Sequence, residues 1–366
     1  MKTPSEIIQS EIENSGILPF ARFMELALYA PETGYYETGR GPGREGDFYT
    51  SVSVGELFGQ LLAFQFAEWL LELPSGCPLS LMEAGAHDGA LARDILGWFR
   101  SHRPELFERL QYIILEPSPR RHGWQKETLG DLAGKICWTP EIAGLKDRFY
   151  GVIFSNELLD AFPVHRLGWD AKAGKWFEWG VGLNKGEFAW ARMTREVPAS
   201  SHPTAPPELL AVLPDQYTVE VSPSAGQWWG AAAGVLKQGK LLAIDYGLTD
   251  DELFLPSRKN GTLRAYFKHH ATDNVLANAG EQDLTAHVNF SMLRAIGESQ
   301  GLATGGLVTQ SQFLTRILEK TTRSQVSFGE WTPARTRQFQ TLTHPEHLGR
   351  SFRVFVQSRD ARAVAS

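Results

Sequence analysis

From Pro78 onward the chain repeats one pattern: a short apolar run, a turn, then a helix-length segment. Leu79–Met82 reads as a strand and Ala90–Arg100 as a helix; Tyr112–Leu115 is the next strand, followed by a polar helix from about Arg120 to Leu129. Lys135–Trp138 and Gly151–Ser155 continue the series. Strands this apolar need helices over both faces, so the pattern predicts a parallel sheet in an α/β fold. After Pro163 the rhythm breaks. Val164–Met193 carries aromatic-rich strand signals split by glycines, which predict an inserted hairpin or small sheet, and a proline- and serine-rich link follows over Val197–Pro207. The rhythm resumes with a helix over Ser222–Lys237 and a buried strand, Leu241–Ile244, that ends in Asp245-Tyr246-Gly247. Asp250 to Gln310 reads as largely helical and irregular, and Phe352–Val356 as a late strand.

Ahead of this region the chain is helical. Thr3-Pro4-Ser5-Glu6 is a capping box with proline at the first helical position, opening a helix with Ile7, Ile8 and Ile12 on one face. A second helix is predicted from Pro19 to Ala30, stopped by Pro31. A glycine-rich stretch, Gly34–Ser51, precedes a helix over Gly55–Leu73 that is apolar on nearly all sides and therefore buried. A net charge of −6 argues against a nucleic-acid partner, which needs a basic face. Two cysteines, Cys77 and Cys137, are too few for a disulfide framework and fit a reduced compartment. With no targeting pattern at the N-terminus and no run of ~18 apolar residues, the expectation is a cytoplasmic protein without a membrane partner.

Four features end predicted strands, where an open α/β sheet places its ligand crevice. The first is Glu83-Ala84-Gly85-Ala86-His87-Asp88-Gly89, in which glycines at 85 and 89 allow a tight turn and a close ligand; plain strand-to-helix geometry would use them equally well. The second is Glu116, a carboxylate placed to accept both hydroxyls of a ribose, or else a solvated strand end. Two acids on adjacent strands suit a cationic sulfonium better than a pyrophosphate, and the G-x-x-x-G spacing fails the dinucleotide pattern. The third is Ser155–Pro163, with Asn156, Glu157 and Asp160. One helical turn would set Glu157 and Asp160 on the same side, suited to a guanidinium or amine, although acids at a helix start are also favoured by its dipole. Asp245-Tyr246-Gly247 is the fourth. His269, His270 and His287 fit no zinc spacing.

These residues belong to an ordered series: GDFYTS (Gly46–Ser51), LFG (Leu57–Gly59), EAGAHDGAL (Glu83–Leu91), ILEPSP (Ile114–Pro119), NELLDAFPV (Asn156–Val164), EVSP (Glu220–Pro223), DYG (Asp245–Gly247), GTLRAY (Gly261–Tyr266) and DLTAHVNF (Asp283–Phe290). In them the chain resembles the MidA family of methyltransferases that use S-adenosylmethionine (SAM), whose mitochondrial members assist assembly of respiratory complex I. The resemblance implies a Rossmann-like class I methyltransferase core over 76–366, an N-terminal helical cap over 1–75, an insertion over 164–216 and a helical elaboration over 250–345. It implies SAM as cofactor, bound by Glu83, Gly85, Ala86, His87, Gly89, Glu116 and Asn156, with Asp47 and Thr50 in the segment closing over the site. Glu157 and Asp160 fall where related arginine methyltransferases hold the substrate guanidinium.

The chain departs from the family at four positions. His87 replaces the middle glycine of the turn, Val52 and Ser53 follow GDFYTS in place of proline and glutamate, and Asn289 replaces an aspartate. The expected activity is N-methylation of arginine on a partner protein. The alternatives are a non-catalytic SAM-binding assembly factor, to which these substitutions point, and a small-molecule methyltransferase.

Overall fold

A computed structural model of the chain describes residues 1–38, 50–145, 149–267, 270–324 and 327–360. The chain forms two compact units. One comprises Tyr49–Leu158, Trp228–Tyr246 and Arg294–Ser366, and the other Met1–Phe48, Leu159–Gln227 and Gly247–Leu293.

The first unit holds a seven-stranded sheet. Its strands are β1 (Leu79–Ala84), β2 (Leu110–Leu115), β3 (Ile136–Thr139), β4 (Phe149–Asn156), β5 (Leu236–Leu248, in this unit through Tyr246), β6 (Ala303–Thr309) and β7 (Phe352–Arg359). The order across the sheet is 3-2-1-4-5-7-6. β1 to β5 are mutually parallel, and β7 runs antiparallel to both of its neighbours. The predicted parallel sheet is thus present. Leu81, Tyr112, Val152, Phe154, Leu242 and Ile244 are fully buried in it, and each large apolar side chain contributes about 1.5–3 kcal/mol by leaving water. The helix Leu57–Leu71 is buried on nearly every side, as its composition requires, and its Phe66 packs on Phe154 with ring centres 4.9 Å apart. The helices Ala90–His102, Gln310–Arg323 and Pro333–Thr343 complete the layers.

The second unit is built differently. Its N-terminal helix, Pro4–Ser15, carries the predicted capping box: Thr3 N–H donates to Glu6 Oε2 at 2.8 Å, and Glu6 N–H donates to Thr3 Oγ1 at 3.2 Å. The helix Phe20–Tyr29 follows. The aromatic-rich stretch forms three antiparallel strands, His165–Asp170, Lys175–Asn184 and Glu187–Arg192, joined by Leu18–Pro19 and Thr218–Val221. A second small sheet joins Arg264–Phe267, His270–Thr272 and Asp283–Thr285.

The span Asp250–Gln310 therefore differs from its helical expectation. It contains this sheet and β6, and its one helix longer than a single turn is Phe290–Ser299, among the described residues. Strands of three or four residues are too short to show a period of two. Among the described residues no helix is long and apolar enough to cross a membrane.

Candidate functional site

The strand order reverses between β1 and β4, and in such sheets the ligand crevice opens at the carboxyl ends flanking that point. Glu83, Glu116 and Asn156 stand at those ends, and Asp245 lies where the pairing of β5 with β4 stops. The turn after β1 is left-handed at three residues: Gly85 (φ 73°), His87 (φ 46°) and Gly89 (φ 87°). At Gly85 a Cβ would lie 2.7 Å from Leu158 Cδ1, so space as well as conformation selects glycine. His87 holds a left-handed backbone, at a cost of about 1 kcal/mol. Its carbonyl accepts a hydrogen bond from Gln125 Nε2 at 3.1 Å.

The two acids have different settings. Glu83 is buried, and its Oε2 accepts the Tyr112 hydroxyl at 2.6 Å. Burial pushes its carboxyl up to about 8, against the lowering effect of Tyr112 and with Asp88 and Asp94 adding to the rise. A nearby cation would favour its charged form. The carboxylate of Glu116 is a hydrogen-bonding hub. Oε1 accepts Ser118 N–H at 2.9 Å and both Nε and Nη2 of Arg121 at 2.9 Å, and Oε2 accepts Gln125 Nε2 at 3.2 Å. Trp138 Nε1 in turn donates to Gln125 Oε1 at 2.8 Å. Sequence reasoning missed Arg121 and Gln125; their only signal was a polar helix directly after the acid.

At the end of β4, Ser155 Oγ and Asn156 Oδ1 are buried with no hydrogen-bond partner among the described residues. Orphaned acceptors at a crevice are what a ligand with ammonium or hydroxyl donors satisfies. Asn156 Nδ2 donates to Glu157 Oε1 at 3.2 Å, and Ser51 N–H donates to the same oxygen at 3.2 Å.

The helical turn expected through Glu157 and Asp160 does not form. Glu157 has φ 51° and gives its N–H to Ile244 O on β5 at 3.0 Å, and Leu158 N–H bonds Asp245 Oδ2 at 3.2 Å. These contacts to β5 hold the chain out of a right-handed turn, so spacing alone does not align the two acids. Only Leu159–Ala161 makes a single 3₁₀ turn. Asp160 is buried in the second unit, where its carbonyl accepts Ala286 N–H at 2.9 Å.

The remaining expected residues are dispersed. Thr50 is buried and bonds Ser53 reciprocally, with Thr50 N–H donating to Ser53 Oγ at 3.0 Å and Ser53 N–H donating to Thr50 Oγ1 at 3.1 Å. Asp47, Gly46 and His269 lie outside the described residues. Asn289 donates to Asp250 Oδ1 at 2.9 Å and accepts Met292 N–H at 3.0 Å; an aspartate there would meet Asp250 as a like charge. His287 is driven down to about 4 by burial and by Arg258 and Arg264, and so is neutral at pH 7.

A glycine turn after β1, an acid ending β2 and orphaned polar groups ending β4, in a 3-2-1-4-5-7-6 sheet, define a class I SAM-dependent methyltransferase. The chain belongs to the family of S-adenosyl-L-methionine-dependent methyltransferases whose model matches residues 61–308, the MidA group to which its motifs pointed. SAM is its cofactor. A Burkholderia thailandensis protein solved with S-adenosyl-homocysteine bound is 30% identical, with a TM-score of 0.84 over 99% of this chain and 94% of that one. Among curated relatives, protein arginine methyltransferase NDUFAF7, mitochondrial, of Danio rerio is 29% identical over 97% of this chain and 86% of its own length. The Drosophila melanogaster homolog is 26% identical over 94% and 82%.

Proposed function

We propose that the chain methylates an arginine nitrogen of a partner protein. The observation that carries this reading is Glu157: a carboxylate at the end of β4, in the same unit as the β1 turn, with Oε1 held by two donors. The names of the relatives, which are protein arginine methyltransferases, support it. Asp160, in the other unit, is not needed for it.

The residues of the first unit divide the work. Gly85, Ala86, His87 and Gly89 bring the backbone close to the cofactor. Glu116 accepts its ribose hydroxyls, sharing its lone pairs with Arg121 and Gln125. Asn156 Oδ1 would accept from the cofactor's ammonium group, Glu83 would offset its positive charge, and Thr50 would close over it. Bound SAM supplies an electrophilic methyl on a sulfonium. Arginine is protonated at any physiological pH, so its guanidinium is a weak nucleophile. Glu157 draws the guanidinium charge to one side and leaves the opposite nitrogen richer in electrons. Positioning and exclusion of water then account for most of the rate. The nitrogen gains the methyl carbon as the sulfur–carbon bond breaks, and Glu157 is the acceptor for the proton the product releases.

Incubation with tritiated-methyl SAM and a protein extract tests this. Label is expected in methylarginine, with a loss of about 100-fold in Glu157→Gln, comparable to removing one strong charge-assisted contact in a transition state. Label confined to other residues, or unchanged by Glu157→Gln, refutes the assignment.

A further inference from the structure

We propose that Gln310 is a positioning residue that fixes the Glu157 carboxylate through Ser51. The inference rests on the role given to Glu157 above, but its physical core is a hydrogen-bond chain that can be tested separately.

The direction of each bond in that chain is determined. Leu342 O, a carbonyl, can only accept, so the Gln310 amide must turn Nε2 toward it, at 3.0 Å. Oε1 of Gln310 then faces Ser51, whose hydroxyl donates to it at 3.0 Å. With its hydroxyl committed, Ser51 gives its backbone N–H to Glu157 Oε1 at 3.2 Å. Gln310 and Ser51 are both fully buried, so water cannot replace a lost partner without a cavity forming. Leu342 lies in the last turn of the helix Pro333–Thr343, where carbonyls have no intrahelical donor. Gln310 opens the helix Gln310–Arg323 behind the Thr309 capping box, so its backbone is fixed too.

A second glutamine braces the other end of the same loop. Gln338 Oε1 accepts Leu57 N–H at 3.3 Å, and its side-chain amide lies where a Cβ on Gly55 (φ 141°) would have to go. Residues 50–57 are therefore clamped at both ends by the C-terminal helix pair. The brace acts on the Glu157 carboxylate, while bonds to Ile244 and Asp245 on β5 hold its left-handed backbone. Gln310 and Gln338 both lie beyond the span matched by the family model.

The test uses the full-length chain carrying Gln310→Leu, which conserves volume and removes both bonds, and Ser51→Ala, which removes the hydroxyl and keeps the N–H. Hydrogen exchange should speed about tenfold at the Ser51 amide in either variant while β1 and β4 amides are unchanged, the loss expected for one net hydrogen bond. With tritiated-methyl SAM and protein extract, kcat should fall about tenfold, with calorimetric SAM affinity within about twofold of wild type. In a Glu157→Gln background Gln310→Leu should cause no further loss of transfer. Unchanged Ser51 exchange overturns the proposal, as does a full additional loss in the Glu157→Gln background, which would mark a merely structural role. If Gln310→Leu does not fold, Ser51→Ala decides alone. Transfer unaffected by Glu157→Gln, with Ser51 exchange raised in Gln310→Leu, would instead refute the arginine reading and leave the chain of contacts standing.

Discussion

The two units bury their acids in opposite ways. In the parallel-sheet unit Glu83 and Glu116 stand at the carboxyl ends of strands. In the antiparallel unit Glu178 lies mid-strand, with His165 Nδ1 at 2.6 Å from one oxygen and Arg195 Nη2 at 2.6 Å from the other. Glu220 likewise accepts Thr262 N–H at 2.7 Å and Oγ1 at 3.0 Å, tying two separate segments together. Burial raises Glu83 to about 8. It would raise Glu178 as well, but hydrogen bonds and charge from His165 and Arg195 reverse that and hold it low. Glu178 and Glu220 each tie separate segments together, while Glu83 takes the Tyr112 hydroxyl.

The largest effect should come from paired glycine substitutions. Gly85→Ala forces a Cβ against Leu158 in a left-handed turn, and SAM affinity should fall at least ~100-fold. Gly261→Ala forces one against the Glu220 carboxylate (φ 79°) and should destabilise by about 2–3 kcal/mol while calorimetric SAM affinity of the folded protein stays within about twofold. Equal loss of SAM binding in both would break the contrast between ligand-facing and bracing acids.

pH should divide the units next. Glu83 binds its proton more tightly folded than unfolded, so its contribution is complete below its ordinary value of 4.5 and is lost as pH rises through about 8. That loss is on the order of 5 kcal/mol. Glu178 has the opposite sign: its contribution is present above its ordinary value and lost as pH falls below it. His287, neutral when folded, adds to the acid loss between its ordinary 6.5 and about 4. Denaturation midpoints at about pH 3, 4.5 and 8 should show Glu83→Gln flattening the fall between 4.5 and about 8, and Glu178→Gln the acid loss below 4.5. The smallest effect concerns the left-handed His87. His87→Gly should raise stability by about 0.5–1 kcal/mol, read as a higher denaturation midpoint, and a decrease would show that the imidazole does more than tolerate its φ.

The same contrast governs what was legible in the sequence. β1, β2, β4 and β5 could be read because burial on both faces demands uninterrupted apolar runs such as Leu241–Ile244, and the capping box at Thr3 is a local signal. β6 was missed because it is a half-exposed edge strand with two glycines and a bulge between Thr304 and Gly306, which erase both apolarity and alternation. The motif acids were correctly placed at strand ends. Their partners Arg121, Gln125, Ser51 and Gln310 were not found, because a single polar residue in a helix or loop has no pattern until the chain brings it to its target. The helical pairing of Glu157 with Asp160 failed for a related reason: bonds to β5, a strand about ninety residues away, override the local i,i+3 rule.

The reversed strand β7 sets an order of events for the growing chain. It is made after β6 yet lies between β6 and β5. Until Phe352–Arg359 emerges from the ribosome, Gly239–Tyr246 of β5 lack the partner it provides, and β6 has nothing to join among the described strands. A nascent chain halted before that point carries the open flank of Leu241–Ile244, four wholly buried residues in the finished sheet and a ready template for aggregation. Closure of the sheet thus waits on the last of its strands to be made, and the interval before it is when the flank of β5 is most open to aggregation.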